Sequence, residues 1–406
     1  VESGQGAAKG ANIKSMSTST PPQSDKHALV LSGGGARAAY QVGALRYIAK
    51  ALPDYRPQIL TGISAGAINA AHLAAHQGSW AEAVSQLSNI WLSLDTEKVY
   101  ATGFANMARR VTVWGLRLIS GGRLGNADVR GMVDNSPLRE FLRDNLPMLE
   151  DERIAGIQEN IARGVLESLA IITTNYGSGR SVAWVEGNNP LLWERGQLRA
   201  NDTQMRLDHI MASSALPMFF PAVRLESAWH GDGGVRLTAP LSPALHLGAT
   251  RILAVSPRAK PVNAIPPELR DPYPSPAQIA SVLLNAVFLD MLDYDALQMN
   301  RINRLVSQLA PEQTSEFRQV EVMVLRPRED LGKLAQEHEI TMPSSFRFFE
   351  RGLHNKESRS SDALSMVMFE PEYLALLIRL GEEDAAERRD EIEAFLRGGA
   401  CSLPVW

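Results

Sequence analysis

The 406-residue chain has one cysteine, Cys401. A lone thiol builds no disulfide within the chain and no cysteine-based metal site, and it suits a reducing compartment. No uninterrupted apolar run approaches the roughly 20 residues that span a bilayer, and the N-terminus lacks the regions of a secretory signal. The expectation is a cytoplasmic protein whose membrane contact, if any, is peripheral and on the inner face. Eight histidines are scattered, none in H-E-x-x-H, so no metal site is expected. Basic charge is not in excess either. With 41 Lys and Arg against 45 Asp and Glu the net charge is −4, which gives no footprint for nucleic acid. There is no internal repeat. What remains is ordinary for a soluble globular protein, 45% hydrophobic and 21% charged, with length enough for one large domain or two. Residues 1–26, rich in Gly, Ser, Ala, Thr and Pro, read as a flexible leader with Met16 a candidate start.

The chain is organised around Leu60-Thr61-Gly62-Ile63-Ser64-Ala65-Gly66. A β-prone run from Gln58 enters it and an alanine-rich helical stretch, Ala65 to Ala75, leaves it. G-x-S-x-G between strand and helix is the pattern of a serine on a sharp, strained turn. Such a turn crowds the residues two before and two after, and glycine at 62 and 66 relieves the crowding. The helix would aim its free N–H groups at negative charge developing beside Ser64. The five residues also fit a plain small-residue turn.

A second glycine motif precedes it. The strand-like His27 to Ser32 runs into Gly33-Gly34-Gly35-Ala36-Arg37-Ala38 and then a helix over Ala39 to Ala51. This matches G-x-G-x-x-A, so dinucleotide binding has to be weighed. That reading needs an acid at the end of the second strand. Asp54 has the spacing but precedes that strand, whose end carries Ser64. The other use of a glycine loop is as a nest of exposed N–H groups for an oxyanion. Loop and elbow, following consecutive parallel strands, would share the carboxyl edge of one sheet.

Further along, Trp80 to Leu94 reads as an amphipathic helix. Residues 98–127 hold Lys98, Arg109, Arg110, Arg117 and Arg123 with no acid, among many apolar residues. They fit either a buried helix with solvated arginines or a segment lying on anionic lipid or over the site. Leu166 to Thr174 and Ser181 to Glu186 pattern as paired strands, Leu207 to Ser214 as a helix, and Ala222 to Ala228 as a strand leading to His230-Gly231-Asp232-Gly233-Gly234. Arg251 to Ser256 and Val320 to Arg326 read as sheet strands. Ser275 to Leu309 is a long helical pattern whose apolar part, Ile279 to Leu292, suits packing on the sheet. Beyond Pro327, Arg328 to Glu339 and Lys356 to Ser361 look solvated, while Tyr373 to Leu380 and Asp390 to Leu396 are amphipathic.

Ser64 needs a base. Asp232, between a strand and two glycines, is a candidate, though its local sequence equally fits an Asp-Gly hairpin turn. The competing arrangement is a triad through His230, two residues from Asp232, or His246 in a short helix after Pro240. Spacing does not choose between dyad and triad.

Together, Gly33-Gly34-Gly35-Ala36-Arg37, Gly62-Ile63-Ser64-Ala65-Gly66 and Asp232-Gly233-Gly234 resemble the motifs of the patatin-like phospholipases, over about Ala28 to Gly248. The stretch Ser213 to Pro221 is similar to that family's segment before its aspartate, and the C-terminal part to extensions on bacterial members. The resemblance implies a three-layer αβα fold with a mainly parallel central sheet and a C-terminal helical extension. Residues 27–250 would be the catalytic domain, 251–330 further strands and the long helix of the same core, and 331–406 the extension. It implies a serine acyl hydrolase of phospholipase A or lysophospholipase type, cleaving lipid or lysolipid esters through an acyl-enzyme and using no cofactor or metal. Ser64 would be the nucleophile and Asp232 the proton acceptor, with no histidine. Backbone N–H groups of Gly33, Gly34, Gly35 and Ala36 would form the oxyanion hole, and Arg37 would order that loop. An acyltransferase on the same site, and a membrane-binding module in which catalysis is incidental, are the alternatives.

Overall fold

The computed structural model describes residues 25–101, 131–188, 192–259, 290–310, 318–337 and 365–398, with residue 190 and scattered positions between 109 and 123 and between 279 and 286. Residues 1–24, most of 98–127, half of the apolar stretch 279–292, and Lys356 to Ser361 lie outside the described residues.

The first half of the chain alternates strand and helix. β1 (His27–Leu31) leads through a 3-10 turn (Gly35–Ala38) into α1 (Ala39–Ala51), then β2 (Ile59–Ile63), α2 (Ala65–Ala75), α3 (Trp80–Leu92) and the short α4 (Thr96–Val99). After α5 (Ser136–Asn145) and α6 (Ile157–Ala162) come β3 (Ser168–Asn175), β4 (Arg180–Gly187), β5 (Glu194–Arg195) and β6 (Leu198–Asp202). α7 (Leu207–Ser213), β7 (Val223–Leu225), β8 (Ala228–Asp232), α8 (Ser242–His246) and β9 (Arg251–Val255) follow. α9 (Met291–Val306), β10 (Glu321–Leu325), α10 (Leu331–Glu337), α11 (Pro371–Glu387) and α12 (Arg389–Leu396) complete the described elements.

These strands form one sheet in the order β10-β9-β1-β2-β3-β4-β6-β5, with β7 and β8 attached through β3. β10, β9, β1, β2 and β3 are mutually parallel, and β4 runs antiparallel to β3. Strand periodicity sorts the core. On β1, Leu29 and Leu31 join the layer containing α1, α2, α3 and α11, whereas Ala28 and Val30 join the layer of α8 and α9. Covering both faces lets the central parallel strands be apolar throughout.

The C-terminal helix α11 lies against α1. At their crossing a Cβ on Gly43 would stand 1.9 Å from the Ile378 carbonyl oxygen, and one on Gly381 2.1 Å from that of Tyr40. Only glycine permits that approach. The Tyr40 hydroxyl donates to Asp384 (3.0 Å) below the crossing.

Two expectations need correction. Ala222 to Ala228 is not one strand but the start of a hairpin, β7 pairing antiparallel with β8 around Glu226, which takes φ 51° in place of the usual glycine or asparagine. Arg328 to Glu339 is not simply solvated. Leu331 and Ala335, four apart on α10, are buried in the main core.

Candidate active site

The site is assembled along one edge of β3. Over residues 168–172 that edge pairs with β2, ending at Ile63 opposite Ile172. Over 173–175 it pairs with β8, starting at Asp232 opposite Thr173. Two strands of opposite direction therefore meet end to end on a third, and the residues at their meeting ends are the segments carrying Ser64 and Asp232. The antiparallel hairpin is what turns Asp232 toward the end of a parallel strand.

Ser64 sits between β2 and α2 at φ 54°, ψ −131°. A non-glycine residue held there stores on the order of 1–3 kcal/mol of strain. The turn is locked by close approach. A Cβ on Gly62 would lie 2.6 Å from Ala67 Cα, and one on Gly66 2.2 Å from the Leu31 carbonyl oxygen. Ser213, at the end of α7, braces the elbow. Its hydroxyl accepts the Ser64 N–H (3.0 Å) and donates to the Ile172 carbonyl (2.7 Å).

The glycine loop lies beside this elbow. The Cβ that Gly33 lacks would stand 3.0 Å from Ser64 Cβ and 3.7 Å from Ser64 Oγ. Gly35 has φ 57° and begins the 3-10 turn, which the Arg37 N–H closes onto the Gly34 carbonyl (3.2 Å). Gln41 donates from α1 to the Ser32 carbonyl (2.7 Å), Asn69 on α2 donates to Gln41 (3.0 Å), and the Trp91 indole donates to Asn69 (2.7 Å). This buried chain of bonds fixes loop, elbow helix and α3 to one another. Arg37 is buried and donates to Ser365 (2.5 Å).

Asp232 is fully buried. Oδ1 accepts the Gly234 N–H (2.9 Å), while Oδ2 has no hydrogen-bond partner of good geometry. Burial pushes its pKa up to about 7, against the smaller lowering effects of the Ser64 hydroxyl and the Gly234 N–H. A carboxyl so placed takes up and releases a proton near neutral pH, the range that suits a general base.

Both candidate histidines are engaged elsewhere. His230 Nδ1 lies 2.9 Å from the Thr173 hydroxyl and Nε2 3.3 Å from the Asn175 amide, with the ring 5.5 Å from that of Trp184. Burial pushes its pKa down to about 4. His246 stacks on Trp193 and contacts the Ser242 carbonyl through Nδ1 (2.7 Å). The expected shared face of His230 and Asp232 exists in the pleat, but the ring turns to β3. Asp54 lies in the turn before β2, at the sheet edge opposite the glycine loop, where no dinucleotide held by that loop would meet it.

Beside Ser64 a narrow apolar cavity of about 50 Å³ runs between Ile68, Trp91, Leu142, Leu216, Phe220 and Phe369. Among the described residues no group of three or more His, Cys, Asp or Glu is placed to hold a metal ion.

The patatin-like phospholipase family model matches residues 29–245, more than half of the chain. The chain belongs to that family. Lipid acyl hydrolase is the enzyme class that goes with a patatin-like phospholipase. Comparison with curated proteins finds no match. Among solved structures, the patatin-like chain is similar to VipD from Legionella pneumophila, with 12% identity, a TM-score of 0.37, and coverage of 91% of this chain and 67% of that one. It is also similar to human GIVD cytosolic phospholipase A2 in complex with methyl gamma-linolenyl fluorophosphonate, with 13% identity, a TM-score of 0.41, and coverage of 92% and 58%. At these scores the likeness adds nothing to the family match.

Ser213 opens the stretch Ser213 to Pro221 that the sequence marks by resemblance, though its bracing role does not show there. Two parts of this patatin-like site carry no motif: Tyr100, whose hydroxyl donates to the Val367 carbonyl (2.7 Å), and residues 365–369.

Proposed function

We propose that this chain is a serine acyl hydrolase of lipid esters working through a Ser64–Asp232 dyad. The observation that carries the reading is the meeting of β2 and β8 on β3, which sets a strained serine beside a buried, partner-poor carboxylate. Ser64 Oγ attacks the ester carbonyl carbon while its proton passes to Asp232. The oxyanion faces the backbone N–H groups of Gly33 to Ala36 and the start of α2. As the C–O bond breaks, Asp232 returns the proton to the leaving alcohol and the acyl group stays on Ser64. Water then attacks the acyl-enzyme, again losing a proton to Asp232, which passes it to Ser64 Oγ as the acyl–oxygen bond breaks and the fatty acid leaves. The apolar cavity supports an acyl rather than a polar substrate portion.

Peripheral contact with an anionic membrane belongs to the same proposal. Leu116 and Ile119 are exposed near the exposed Arg109 and Arg123. The test measures fatty-acid release from phospholipid and lysophospholipid vesicles, with and without an acceptor alcohol, for wild type, Ser64→Ala and Asp232→Asn. Release by wild type and its loss in both variants is expected. Undiminished release by Ser64→Ala would sink the reading.

A further inference from the structure

The family match stops at residue 245, yet the cavity beside Ser64 is closed by residues 120 positions later in the chain. We propose that the segment Ser365–Phe369 is part of the active site, with Phe369 and Val367 determining which acyl chains it accepts. This rests on the ester-hydrolase reading of Ser64.

The segment touches the catalytic loop directly. A Cβ on Gly35 would stand 1.9 Å from the Met366 carbonyl oxygen, so the main chains of loop and segment are in van der Waals contact. Arg37, two residues on, donates to Ser365 across 328 positions of sequence, with both residues buried. From there the segment runs toward α4. The Tyr100 hydroxyl holds the Val367 carbonyl, and the Thr96 hydroxyl donates to Glu370 (2.8 Å). The ring of Phe369 packs edge-on against Tyr100, with centroids 6.4 Å apart, and Tyr100 in turn packs on Phe219 and Phe220. Met366, Val367 and Phe369 thus form one wall of a cavity whose other walls come from α2, α3, α5 and residues 214–220.

The size of the cavity makes that wall decisive. Ligand pockets commonly enclose about 300–1,000 Å³, and this one encloses about 50 Å³. A long acyl chain enters only where a wall yields. The α2 and α3 walls are regular helices of the main core, and Met368 and Phe369 pack into that same core, but 368–370 is neither helix nor strand and is tied down through the Val367 and Glu370 contacts. Side-chain volume at 367 and 369 therefore sets the room available beyond Ser64.

The test compares wild type with Phe369→Ala and Val367→Ala in two measurements. The first is thermal stabilisation by saturated fatty acids of increasing length, and the second is hydrolysis of nitrophenyl esters from octanoyl to palmitoyl. Phe369→Ala should raise the palmitoyl-to-octanoyl rate ratio by about tenfold or more and lengthen the longest fatty acid that stabilises the protein. Leu305→Ala, on the exposed face of α9, should leave both profiles unchanged. If Phe369→Ala does not fold, Phe369→Leu and Val367→Ala carry the comparison. Unchanged length profiles in both measurements overturn the proposal. A shifted fatty-acid profile with no ester cleaved even by wild type overturns the hydrolase reading and, with it, the placing of this segment in an active site, and leaves only an acyl-chain-binding wall at Val367 and Phe369.

Discussion

Ile63 and Asp232 occupy successive places along one edge of β3, opposite Ile172 and Thr173. The separation of the segments carrying Ser64 and Asp232 is thus set by the spacing of two neighbouring residues on a third strand. Ser213 ties the arrangement together, since its hydroxyl bridges Ser64 N–H and the Ile172 carbonyl. Ser213→Ala removes an acceptor and a donor in a buried place. It is expected to destabilise the fold by about 1–3 kcal/mol in urea denaturation. Ester turnover should fall as well.

The pH profile follows from Asp232. With its pKa pushed up to about 7 by burial, the free enzyme's kcat/KM should rise about tenfold per pH unit below 7 and level off above it. Stability runs the other way. Between the ordinary value of 3.8 and about 7, the folded carboxyl is protonated while the unfolded one is charged. The folded state then binds more protons, so stability falls as pH rises through that window. Asp232→Asn should be inactive, yet more stable than wild type at pH 8 by up to about 4 kcal/mol, with the gap closing toward pH 4. Thermal melts at the two pH values check it, and a gap that widens on acidification would contradict the assignment of Asp232 as a proton-holding group.

Histidine should be dispensable. His230 is satisfied by Thr173 and Asn175, and His246 by Ser242 and Trp193. Ester cleavage by His230→Gln and His246→Gln should stay within about tenfold of wild type, well short of the roughly 10⁴–10⁶-fold losses that removal of a triad member brings. A loss of that larger size in either variant would restore the triad.

Much of this was legible in the chain itself, for local reasons. The glycines at 35, 62 and 66 mark places where backbone meets backbone, and such crowding is written in adjacent residues. Short continuous apolar runs likewise mark β1 and β2, and the alanine run marks α2. Asp232 was ambiguous because an Asp-Gly turn and a buried base look the same until the register of β8 on β3 is known, and that register joins residues nearly 60 apart. The hairpin was hidden because Glu226 turns without a turn residue. Residues 365–369 were invisible because the contacts that bring them to the site are made by the carbonyls of Met366 and Val367, which carry no side-chain signature.

The Gly35→Ala substitution probes the loop. It places a Cβ on the Met366 carbonyl at φ 57°, so the loop must move. A fall in kcat of about 10²–10³-fold is expected, with KM for short esters changing little. Near-wild-type kcat would remove the loop from the oxyanion site.

The most direct measurement is covalent. An alkyl fluorophosphonate is incubated with wild type, Ser64→Ala and Asp232→Asn, and the adduct is located by peptide mass spectrometry. One adduct per chain on Ser64, slowed severely in Asp232→Asn and absent from Ser64→Ala, is the expected result. An adduct on any other serine, or undiminished labelling of Ser64→Ala, would contradict it.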